Sequence, residues 1–283
     1  MLGLVKYWRG NGRLPRRSSD PMAGFNDFVF ERMSRQSWTS LERACIDKQH
    51  AKLFARALCP EVKTSGTLAV LPVSTPADVG NACSFLLSRS GRAEVAKPTH
   101  GSGAVLFLRQ SPTPQEIRSF CGRASQSYYR LSRESQYKGL ERKIILEEDL
   151  SVGGAPPVDY KFFCVHGEVL FCQVDVDRFS RHRRCLVTPD FRWIDVRFSH
   201  DWPSALPRKP GTFDAMVKIA EKLSRGFRFV RLDLYSTGGE VYFGEFTFAP
   251  EGGTGSLSSE AFGIWVMERI RSAGAGPEGG WNV

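Results

Sequence analysis

A charged segment near the C-terminal end of the sequence reads Phe229-Val-Arg-Leu-Asp-Leu-Tyr235, then Ser236-Thr-Gly-Gly239 and, after Glu240, Val241-Tyr-Phe-Gly-Glu-Phe-Thr-Phe248. Apolar residues alternate with other residues in the two outer segments, and a Gly-Gly pair lies between them. This pattern is typical of two strands joined by a tight turn. The stretch therefore predicts a β-hairpin that carries charged side chains.

Side chains two positions apart in a strand lie on the same face of the sheet. The charged faces of the two strands then comprise Phe229, Arg231, Asp233 and Tyr235 on one strand and Val241, Phe243, Glu245 and Thr247 on the other. A loop of residues 236–239 alone would set Glu245 opposite Val230. Convergence of the carboxylates therefore needs a loop one residue longer or shorter, or a bulge. We predict that Asp233 and Glu245 share a face.

Length and composition indicate a globular protein. The chain has 283 residues, of which 41% are hydrophobic and 24% charged, enough for a full core in one compact unit of two lobes. No window approaches the roughly 18 uncharged apolar residues of a membrane span, and the opening segment is too short for a secretory signal. The seven cysteines lie singly, which favours free buried thiols over a zinc site or disulfides. We expect a cytoplasmic enzyme or binding protein.

The positive charge raises the question of a nucleic-acid partner. The formal net charge is +9, with clusters at residues 13–17 and 178–184. No recognition-helix motif or stacking-aromatic motif accompanies them, so nucleic acid is the less favoured partner. Residues 1–24 are predicted to be a basic, flexible N-terminal segment that is compatible with either a solvated arm or peripheral contact with a membrane. The tail, residues 274–283, is predicted to be disordered.

The region 25–92 reads as a reduced N-terminal α/β region. Apolar residues at helical spacing predict two helices, a strand follows at residues 67–73, and a further helix begins at Pro76. On composition alone, Asp47-Lys48 in this region is a surface ion pair.

Residues 97–103, Lys-Pro-Thr-His-Gly-Ser-Gly, connect two strands. Gly101 and Gly103 let backbone N–H groups approach an anion, Ser102 adds a hydroxyl, and Lys97 adds a cation. The segment is compatible with a phosphate-holding loop and also with an ordinary hairpin turn.

The strand at residues 143–150 ends in acidic residues, where a purine amino group or a ribose could bind. After it, the two-residue turn His166-Gly167 predicts a second hairpin, whose first strand carries Asp159 and Lys161 on one face. An ion pair on a solvated face explains these two residues equally well. Four arginines are predicted to lie in a basic loop after this hairpin: Arg178, Arg181, Arg183 and Arg184.

The ordered set of segments resembles a known family, the ATP-grasp enzymes, and within it the TupA-like branch associated with teichuronopeptide and other surface-polysaccharide genes. The resemblance covers residues 47–262. The segments that carry it are Asp47-Lys48, Lys97-Pro-Thr-His-Gly-Ser-Gly103, Leu146-Glu-Glu-Asp-Leu150, Asp159-Tyr-Lys-Phe162, Val230-Arg-Leu-Asp-Leu-Tyr235 and Phe243-Gly-Glu-Phe-Thr247. It implies an α+β, ATP-grasp fold in which two lobes with antiparallel sheets enclose the nucleotide, with a small lobe at 93–148 and a large lobe at 149–273.

The resemblance also implies an ATP site. The residues that it assigns to the nucleotide are Lys97, His100, Gly101, Ser102, Gly103, Glu147, Glu148, Asp149, Leu150, Asp159 and Lys161. Lys97 and the loop would contact the phosphates, and Glu147 would meet the adenine amino group while the backbone at Asp149 and Leu150 frames the purine. Glu148 or Asp159 would take the ribose, and Lys161 would reach a phosphate.

The family pattern further implies one or two Mg²⁺ ions held by Asp233, Glu245 and Thr247, where Thr247 stands in the place of the usual Asn. Arg231 and Lys161, with Arg178 as a second candidate, are the implied catalytic cations. The implied activity is amide bond formation, in which ATP converts a substrate carboxylate into an acyl-phosphate and an amine displaces phosphate. The alternatives that the residues leave open are an ATP-dependent kinase of a sugar or small hydroxyl compound and a non-catalytic binder of an anionic polymer.

Overall fold

In the computed structural model, the described residues are 2–36, 38–176 and 181–272. The α-helices are α1 Leu2–Asn11, α2 Phe25–Arg35, α3 Ser40–Ile46, α4 Lys48–Leu58, α5 Pro76–Leu87, α6 Pro114–Ala124, α7 Tyr128–Ser132, α8 Phe213–Ser224 and α9 Glu260–Ser272. The strands are β1 Lys63–Thr64, β2 Thr67–Pro72, β3 Glu94–Pro98, β4 Leu106–Phe107, β5 Lys143–Glu148, β6 Asp159–Val165, β7 Glu168–Val176, β8 Arg183–Val187, β9 Trp193–Ile194, β10 Val230–Thr237 and β11 Glu240–Thr247.

The chain forms two compact units, each assembled from separate segments. The first unit combines residues 1–35, 158–234 and 247–283, and the second combines residues 36–157 and 235–246. The chain therefore passes from the first unit to the second within β10 and returns at the end of β11. The five consecutive segments anticipated from the sequence stay a prediction about domain organisation.

A sheet with the neighbour order β10-β6-β7-β8-β9 forms the centre of the first unit. Its core is rich in aromatic rings: Phe163 stacks on Phe171 with 4.4 Å between ring centroids, and Phe25 from α2 lies edge-on to Phe229 at 5.1 Å. α8 lies against β6 and β7, with Phe213 packed on Phe162. The strand that carries the catalytic candidates is thus held on a rigid apolar layer.

In the second unit a four-stranded antiparallel sheet has the order β2-β5-β3-β4. Its apolar face packs with α5 and α6 into a core that includes Leu86, Ile117, Phe120 and Leu146. Threonine begins three helices of this unit, and at each the Thr side chain and an acidic side chain three residues later form a reciprocal capping box; these threonines are Thr39, Thr75 and Thr113. β11 pairs with the short strand β1 in parallel.

The N-terminal segment corrects one expectation. The sequence suggests little regular structure before residue 25, but Leu2–Asn11 is a helix, and its Tyr7 is fully buried. The glycines in this stretch concealed the helix because they lower helix propensity, whereas here packing of Gly10 beside Thr254 requires the absence of a side chain. The predicted disordered tail, residues 274–283, lies outside the described residues.

Other features agree with expectation. The mixed architecture of helices and largely antiparallel sheets confirms the α+β fold class. All seven cysteines are free, and all except the half-buried Cys83 are buried. Within the described ranges, the helices include none with the length and apolarity needed to cross a membrane.

Candidate active site

A buried lysine lies at the centre of a charged cluster in the first unit. Lys161 on β6 has a side chain only 5% exposed, and its Nζ lies 3.0 Å from Asp159 Oδ2, 3.3 Å from Asp175 Oδ2 and 3.5 Å from Asp233 Oδ2. The three carboxylates come from three neighbouring strands, β6, β7 and β10. The sheet therefore concentrates acidic groups around one cation, instead of leaving Asp159 and Lys161 as an ion pair on a solvated face.

Strand register explains this convergence. Asp159 lies opposite Asp175 in the β6–β7 pair, and Asp175 lies opposite Arg184 in the β7–β8 pair. The turn at His166-Gly167 joins β6 to β7 as predicted, but the register shifts between Phe163 and Cys164. This irregularity moves Asp175 into line with Asp159.

A second arrangement in the same unit involves Arg231 and Asp233, two residues apart on β10. Arg231 donates from Nε to Asp233 Oδ1 at 2.7 Å and from Nη2 to Asp233 Oδ2 at 2.8 Å. The same Nη2 donates to Thr247 Oγ1 at 3.0 Å. The planar guanidinium thus holds both oxygens of one carboxylate and the hydroxyl of a residue near the end of β11.

The charges of the cluster stabilise one another. Burial lowers the pKa of Lys161, but the carboxylates of Asp159, Asp233 and Asp175 outweigh it, so the net pKa lies above the usual lysine value and the side chain is protonated. Burial raises the pKa of Asp175, but Lys161 and Arg184 outweigh it and keep this group ionised. Removing so many charges from water is costly for folding, and such clusters are found most often at functional sites.

Arg184 was misplaced by the sequence. Its guanidinium is buried, not in a solvated basic loop: Nε donates to Asp175 Oδ1 at 2.7 Å, and Nη1 pairs with Glu251. Arg183 likewise lies on β8, not in a loop, and forms an ion pair with Asp201 at 3.2 Å. The continuous apolar run at residues 185–187, directly after Arg184, was the sequence signal for a buried strand at this place.

Two residues of this cluster were also missed from the sequence, Asp175 itself and His182. His182 Nε2 lies 3.2 Å from Asp175 Oδ1, and the His182 ring packs on that of His200 with 3.8 Å between centroids. Burial, with Arg184 and His182, lowers the pKa of His200. Arg178, a catalytic candidate from the sequence, lies outside the described residues.

The second unit contains a buried carboxylate held between two lysines. Glu147 on β5 pairs through Oε2 with Lys97 Nζ at 2.9 Å and through Oε1 with Lys52 Nζ. Lys52 comes from α4 and also donates to the backbone oxygen of Ser65 at 2.7 Å. Lys52 was not identified from the sequence because its helix gave only an apolar pattern.

The neighbouring lysines keep the Glu147 carboxylate ionised. Burial raises its pKa, but Lys97 and Lys52 outweigh that effect, and the net pKa lies below the usual glutamate value. Burial is the main reason that the pKa of Lys52 is lowered. Both oxygens of Glu147 are thus engaged with cations, which suits a residue that orients Lys97; contact of Glu147 with an adenine amino group stays a prediction.

The loop after β3 has the backbone freedom expected of it. Gly103 has a φ of +80°, and a side chain at Gly101 would come within 3.0 Å of the Tyr128 ring. The backbone oxygen of Gly101 accepts a hydrogen bond from Lys48 Nζ. Residues 101–103 line a cavity of about 470 Å³ in this unit. The loop therefore borders open space, as a loop that covers phosphates would.

His100, at the start of that loop, is buried. Its Nδ1 accepts a hydrogen bond from the backbone N–H of Lys143 at 3.4 Å. Burial lowers the pKa of His100, which favours the neutral ring. The neutral imidazole of His100 is buried at the start of the loop, and the positive charge near the loop comes from Lys48 and Lys97.

The acidic end of β5 splits into three environments. Glu148 is exposed and accepts a hydrogen bond from Gly66 N at 3.1 Å. Asp149 is paired with Arg109 at 3.1 Å and accepts a hydrogen bond from the backbone N–H of Ser151. The backbone oxygen of Leu150 accepts a hydrogen bond from Thr237 Oγ1 at 3.5 Å. Glu148 is thus the exposed carboxylate at this end of β5; contact of Glu148 or Asp159 with a ribose stays a prediction.

Asp47-Lys48 is not a surface ion pair. Asp47 is buried and begins α4 by accepting hydrogen bonds from the backbone N–H groups of Gln49 and His50. Lys48 Nζ instead lies 3.5 Å from Glu245 Oε2, besides its bond to the Gly101 backbone. The Asp47 carboxylate caps the helix, and Lys48 contacts Glu245 and the Gly101 backbone instead of Asp47.

The predicted metal ligands are hard oxygen donors, which suits Mg²⁺. Asp233 accepts hydrogen bonds from Arg231 at both carboxylate oxygens, and the same guanidinium donates to the Thr247 hydroxyl in the first unit. Glu245 belongs to the second unit, where Lys48 approaches it. Among the described residues, no three His, Cys, Asp or Glu side chains are already grouped to hold a metal. The side-chain oxygens of Asp233, Glu245 and Thr247 are of the type that binds Mg²⁺. That the three residues bind one ion together stays a prediction.

The length of the turn between β10 and β11 limits how the two strands can be aligned. Strand β10 ends at Thr237 and β11 begins at Glu240, so Gly238 and Gly239, with φ of +59° and +78°, form a two-residue turn. This loop is two residues shorter than 236–239, so a bulge is the remaining way to bring the carboxylates to one face. Burial in β11 changes phase between Phe243 and Phe246, as a bulge would cause. The shared face of Asp233 and Glu245 stays a prediction.

Comparison with known proteins decides the family. The family model described as TupA-like ATPgrasp matches residues 87–271, roughly two thirds of the chain. The chain belongs to the TupA-like ATP-grasp family. This match includes the Lys97 loop, the acidic end of β5, the Lys161 cluster and the β10–β11 hairpin, and it confirms the ATP-grasp fold expected from the sequence. No curated protein matches the chain.

Several solved ATP-grasp structures are similar to the chain in fold. The ATP-grasp ligase PsnB complexed with minimal precursor is 12% identical, with 74% of this chain and 54% of PsnB covered and a TM-score of 0.38. D-alanine–D-alanine ligases from Bacillus anthracis and Helicobacter pylori are 12% and 15% identical over 81% of this chain, with TM-scores of 0.45 and 0.44. The chain spans between 54% and 67% of the length of these three structures.

Proposed function

We propose that the protein is an ATP- and Mg²⁺-dependent ligase that joins a substrate carboxylate to an amine. The observation that carries this proposal is the buried Lys161 cluster with the adjoining Arg231–Asp233–Thr247 group, in a chain of the ATP-grasp family. Fixed cations beside fixed carboxylates, on a rigid sheet, are suited to phosphoryl transfer, in which positioning and charge neutralisation do most of the catalysis.

The residues of the first unit take the roles closest to the chemistry. Lys161 would bind a phosphate oxygen and Arg231 would stabilise the charge that develops on the transferred phosphoryl group. Asp159, Asp175 and Asp233 keep Lys161 protonated at neutral pH, so its positive charge is available throughout. Asp233 and Glu245, with the Thr247 hydroxyl, would hold Mg²⁺. When bound, Mg²⁺ supplies charge neutralisation and orients the polyphosphate.

In the second unit, Lys97 and the loop at 101–103 would bind phosphate oxygens. Glu147 positions Lys97 through the 2.9 Å ion pair, and Lys52 completes the charge balance of Glu147. Glu148 would accept a hydrogen bond from the ribose, and the backbone near Asp149 and Leu150 would border the purine.

The reaction then proceeds in two displacements. An oxygen of the substrate carboxylate bonds to the γ-phosphorus of ATP, and the bond from that phosphorus to the bridging oxygen breaks to release ADP. The amine nitrogen next bonds to the acyl carbon, the bond from that carbon to the phosphate oxygen breaks, and inorganic phosphate leaves as the nitrogen loses a proton. The products are an amide, ADP and phosphate.

The test is ADP release with a panel of amino acids, dicarboxylates and amines in the presence of Mg²⁺, followed by identification of the product. The Asp233→Asn and Glu245→Gln variants should lose activity by about a hundredfold or more, with thermal melting of each variant used to confirm that the fold is kept. The matched control is Asp214→Asn, because Asp214 is an exposed aspartate of the first unit. Undiminished ADP release in Asp233→Asn would contradict the proposal, and a phosphorylated hydroxyl product would identify a kinase instead.

A further inference from the structure

The outward face of α1 displays three apolar side chains side by side. Leu4, Val5 and Trp8 are 44%, 43% and 56% exposed. Positions 4, 5 and 8 are neighbours on a helix with 3.6 residues per turn, so these side chains form one stripe, which we call the α1 stripe. Exposed large apolar residues that lie together, instead of singly, indicate a contact surface.

Basic residues border the α1 stripe. Lys6 and Arg9 are both exposed, and at 100° per residue they continue the same outward arc beyond Val5. The sequence of α1 contains no acidic residue. Around the outer surface of the helix, an apolar sector is thus followed directly by a cationic one.

The inner face of α1 is firmly attached to the first unit. Tyr7 is fully buried and donates a hydrogen bond to Asp27, and Asn11 accepts one from Asn26 Nδ2 at 2.6 Å. A side chain at Gly10 would collide with the backbone oxygen of Thr254. The helix is therefore held against the protein, and the α1 stripe is displayed in one fixed orientation.

The segment after α1 is fixed by the same carboxylate. Asp27 accepts hydrogen bonds from Arg13 Nη2 at 2.7 Å and from the backbone N–H of Arg16 at 2.8 Å, while Arg16 Nη1 donates to Glu260 at 2.6 Å. These two arginines are used within the protein. Lys6 and Arg9 are the exposed cations of α1 itself.

We propose that the outward face of α1 binds the surface of an anionic membrane, with the α1 stripe in the headgroup region and Lys6 and Arg9 against lipid phosphates. Charge complementarity carries the choice of partner. An apolar sector with Trp and Leu beside a cationic one is how interfacial helices bind anionic bilayers, since apolar insertion and attraction to lipid phosphates act together. Because one face of α1 is already packed on the protein, the other is free of the ordering cost that a disordered peptide would meet.

The experiment is co-sedimentation of the full chain with vesicles of phosphatidylglycerol mixed with phosphatidylcholine, compared with vesicles of phosphatidylcholine alone. We expect binding to the anionic vesicles that weakens as salt is raised, because screening reduces the contribution of Lys6 and Arg9. Tryptophan fluorescence with quenchers placed in the lipid should detect Trp8 at the interface.

Two variants separate the two parts of the surface. Replacement of Lys6 and Arg9 by Gln should weaken binding by roughly 25-fold, the equivalent of about one kcal/mol for each cation near an anionic surface. Trp8→Ser should weaken binding roughly tenfold, because the exposed half of the Trp8 side chain is then no longer transferred from water into the membrane. The matched controls are Arg208→Gln with Lys209→Gln, and Trp202→Ser, which are exposed residues elsewhere in the first unit. Thermal melting of each variant confirms that the fold is kept.

Binding to anionic vesicles that both α1 variants lose and the controls keep supports the proposal. Equal binding to vesicles of phosphatidylcholine alone, no sedimentation at low salt, or binding that the controls lose equally would overturn it. Self-association that depends on Trp8 in place of vesicle binding would also overturn it and would identify a contact between copies of the chain. The proposal does not depend on the ligase activity.

Discussion

Lys161 shows how a single residue links stability to chemistry. Its charge is surrounded by Asp159, Asp175 and Asp233 within 3.5 Å, and the surrounding layer is apolar. A buried ion pair is often no more stable than an apolar replacement of the whole set, but the loss of one partner leaves the others uncompensated. The stability of the cluster therefore depends on Lys161 and its three carboxylates being present together.

Lys161→Met is expected to reduce the free energy of unfolding by about 3 to 5 kcal/mol, because three aspartates lose their shared cation. Urea denaturation measures this change. Lys209→Met, which removes an exposed lysine from the same unit, should change the free energy of unfolding by about 0.5 kcal/mol or less. Adding Asp159→Asn to Lys161→Met should restore part of the loss. A Lys161→Met protein as stable as the parent would contradict the buried cluster.

Thr247 is a predicted metal ligand whose hydroxyl accepts a hydrogen bond from Arg231 at 3.0 Å. If the hydroxyl also serves Mg²⁺, Thr247→Val should raise the Mg²⁺ concentration needed for stabilisation by an ATP analogue about tenfold, as loss of a supporting ligand group does. Thermal melting over a Mg²⁺ titration measures it, with Thr247→Ser as the control. An unchanged Mg²⁺ requirement would limit the hydroxyl to a role in holding Arg231.

At the scale of elements, Asp27 on α2 connects α1 to the first unit. Burial raises its pKa, but hydrogen bonds from Arg13, Tyr7 and backbone N–H groups outweigh this effect, so its pKa lies below the usual aspartate value. Asp27 therefore stabilises the fold at any pH above the unfolded-state pKa of about 3.9, and this contribution is lost as the pH falls toward the lower folded-state value.

Asp27→Asn should reduce the free energy of unfolding by about 3 kcal/mol at neutral pH, because Arg13 and Tyr7 lose a charged acceptor. The variant should also show a shallower loss of stability than the parent as pH is lowered below about 4. Denaturant unfolding across this pH range measures both effects. The control is Asp214→Asn, an exposed aspartate, which should follow the parent; parallel pH curves for Asp27→Asn and parent would contradict the role of Asp27.

Several secondary-structure elements were predictable from the sequence, but the alignment of β6 with β7 was not. The hairpin of β6 and β7 follows from the two-residue turn His166-Gly167, and α5 begins at Pro76 as the sequence predicts. The cluster could not be foreseen in full, because an uninterrupted register would set Asp159 opposite Val174. The irregularity at Phe163 and Cys164 moves Asp175 into place. Bulges depend on packing across the sheet, which short-range patterns do not encode.

Ion pairs between residues far apart in the chain could not be predicted from the sequence either. Lys52 pairs with Glu147 across 95 positions of the chain, and Arg184 pairs with Glu251 across 67. No spacing rule relates such residues, and their assignment to a common ligand rests on the resemblance to a family and stays a prediction. The order of motifs thus predicted the fold, whereas the partners of the candidate residues became visible only in the structure.

At the scale of the whole molecule, separated segments build each unit. The first unit takes its N-terminal helices, central strands and C-terminal helix from three parts of the chain, and residues 235–246 supply a strand to the second. Of the predicted metal ligands, Asp233 and Thr247 belong to the first unit and Glu245 belongs to the second. The ligase proposal therefore assigns roles to residues of both units.

The most direct test of the central claim uses a carboxylate substrate, found in the ADP-release panel, labelled in both carboxylate oxygens with the heavy isotope of oxygen. Formation of an acyl-phosphate, followed by attack of the amine, transfers one labelled oxygen to the released phosphate, so mass spectrometry should find singly labelled phosphate in proportion to amide formed. Unlabelled phosphate, or a phosphorylated product without amide, would contradict the account.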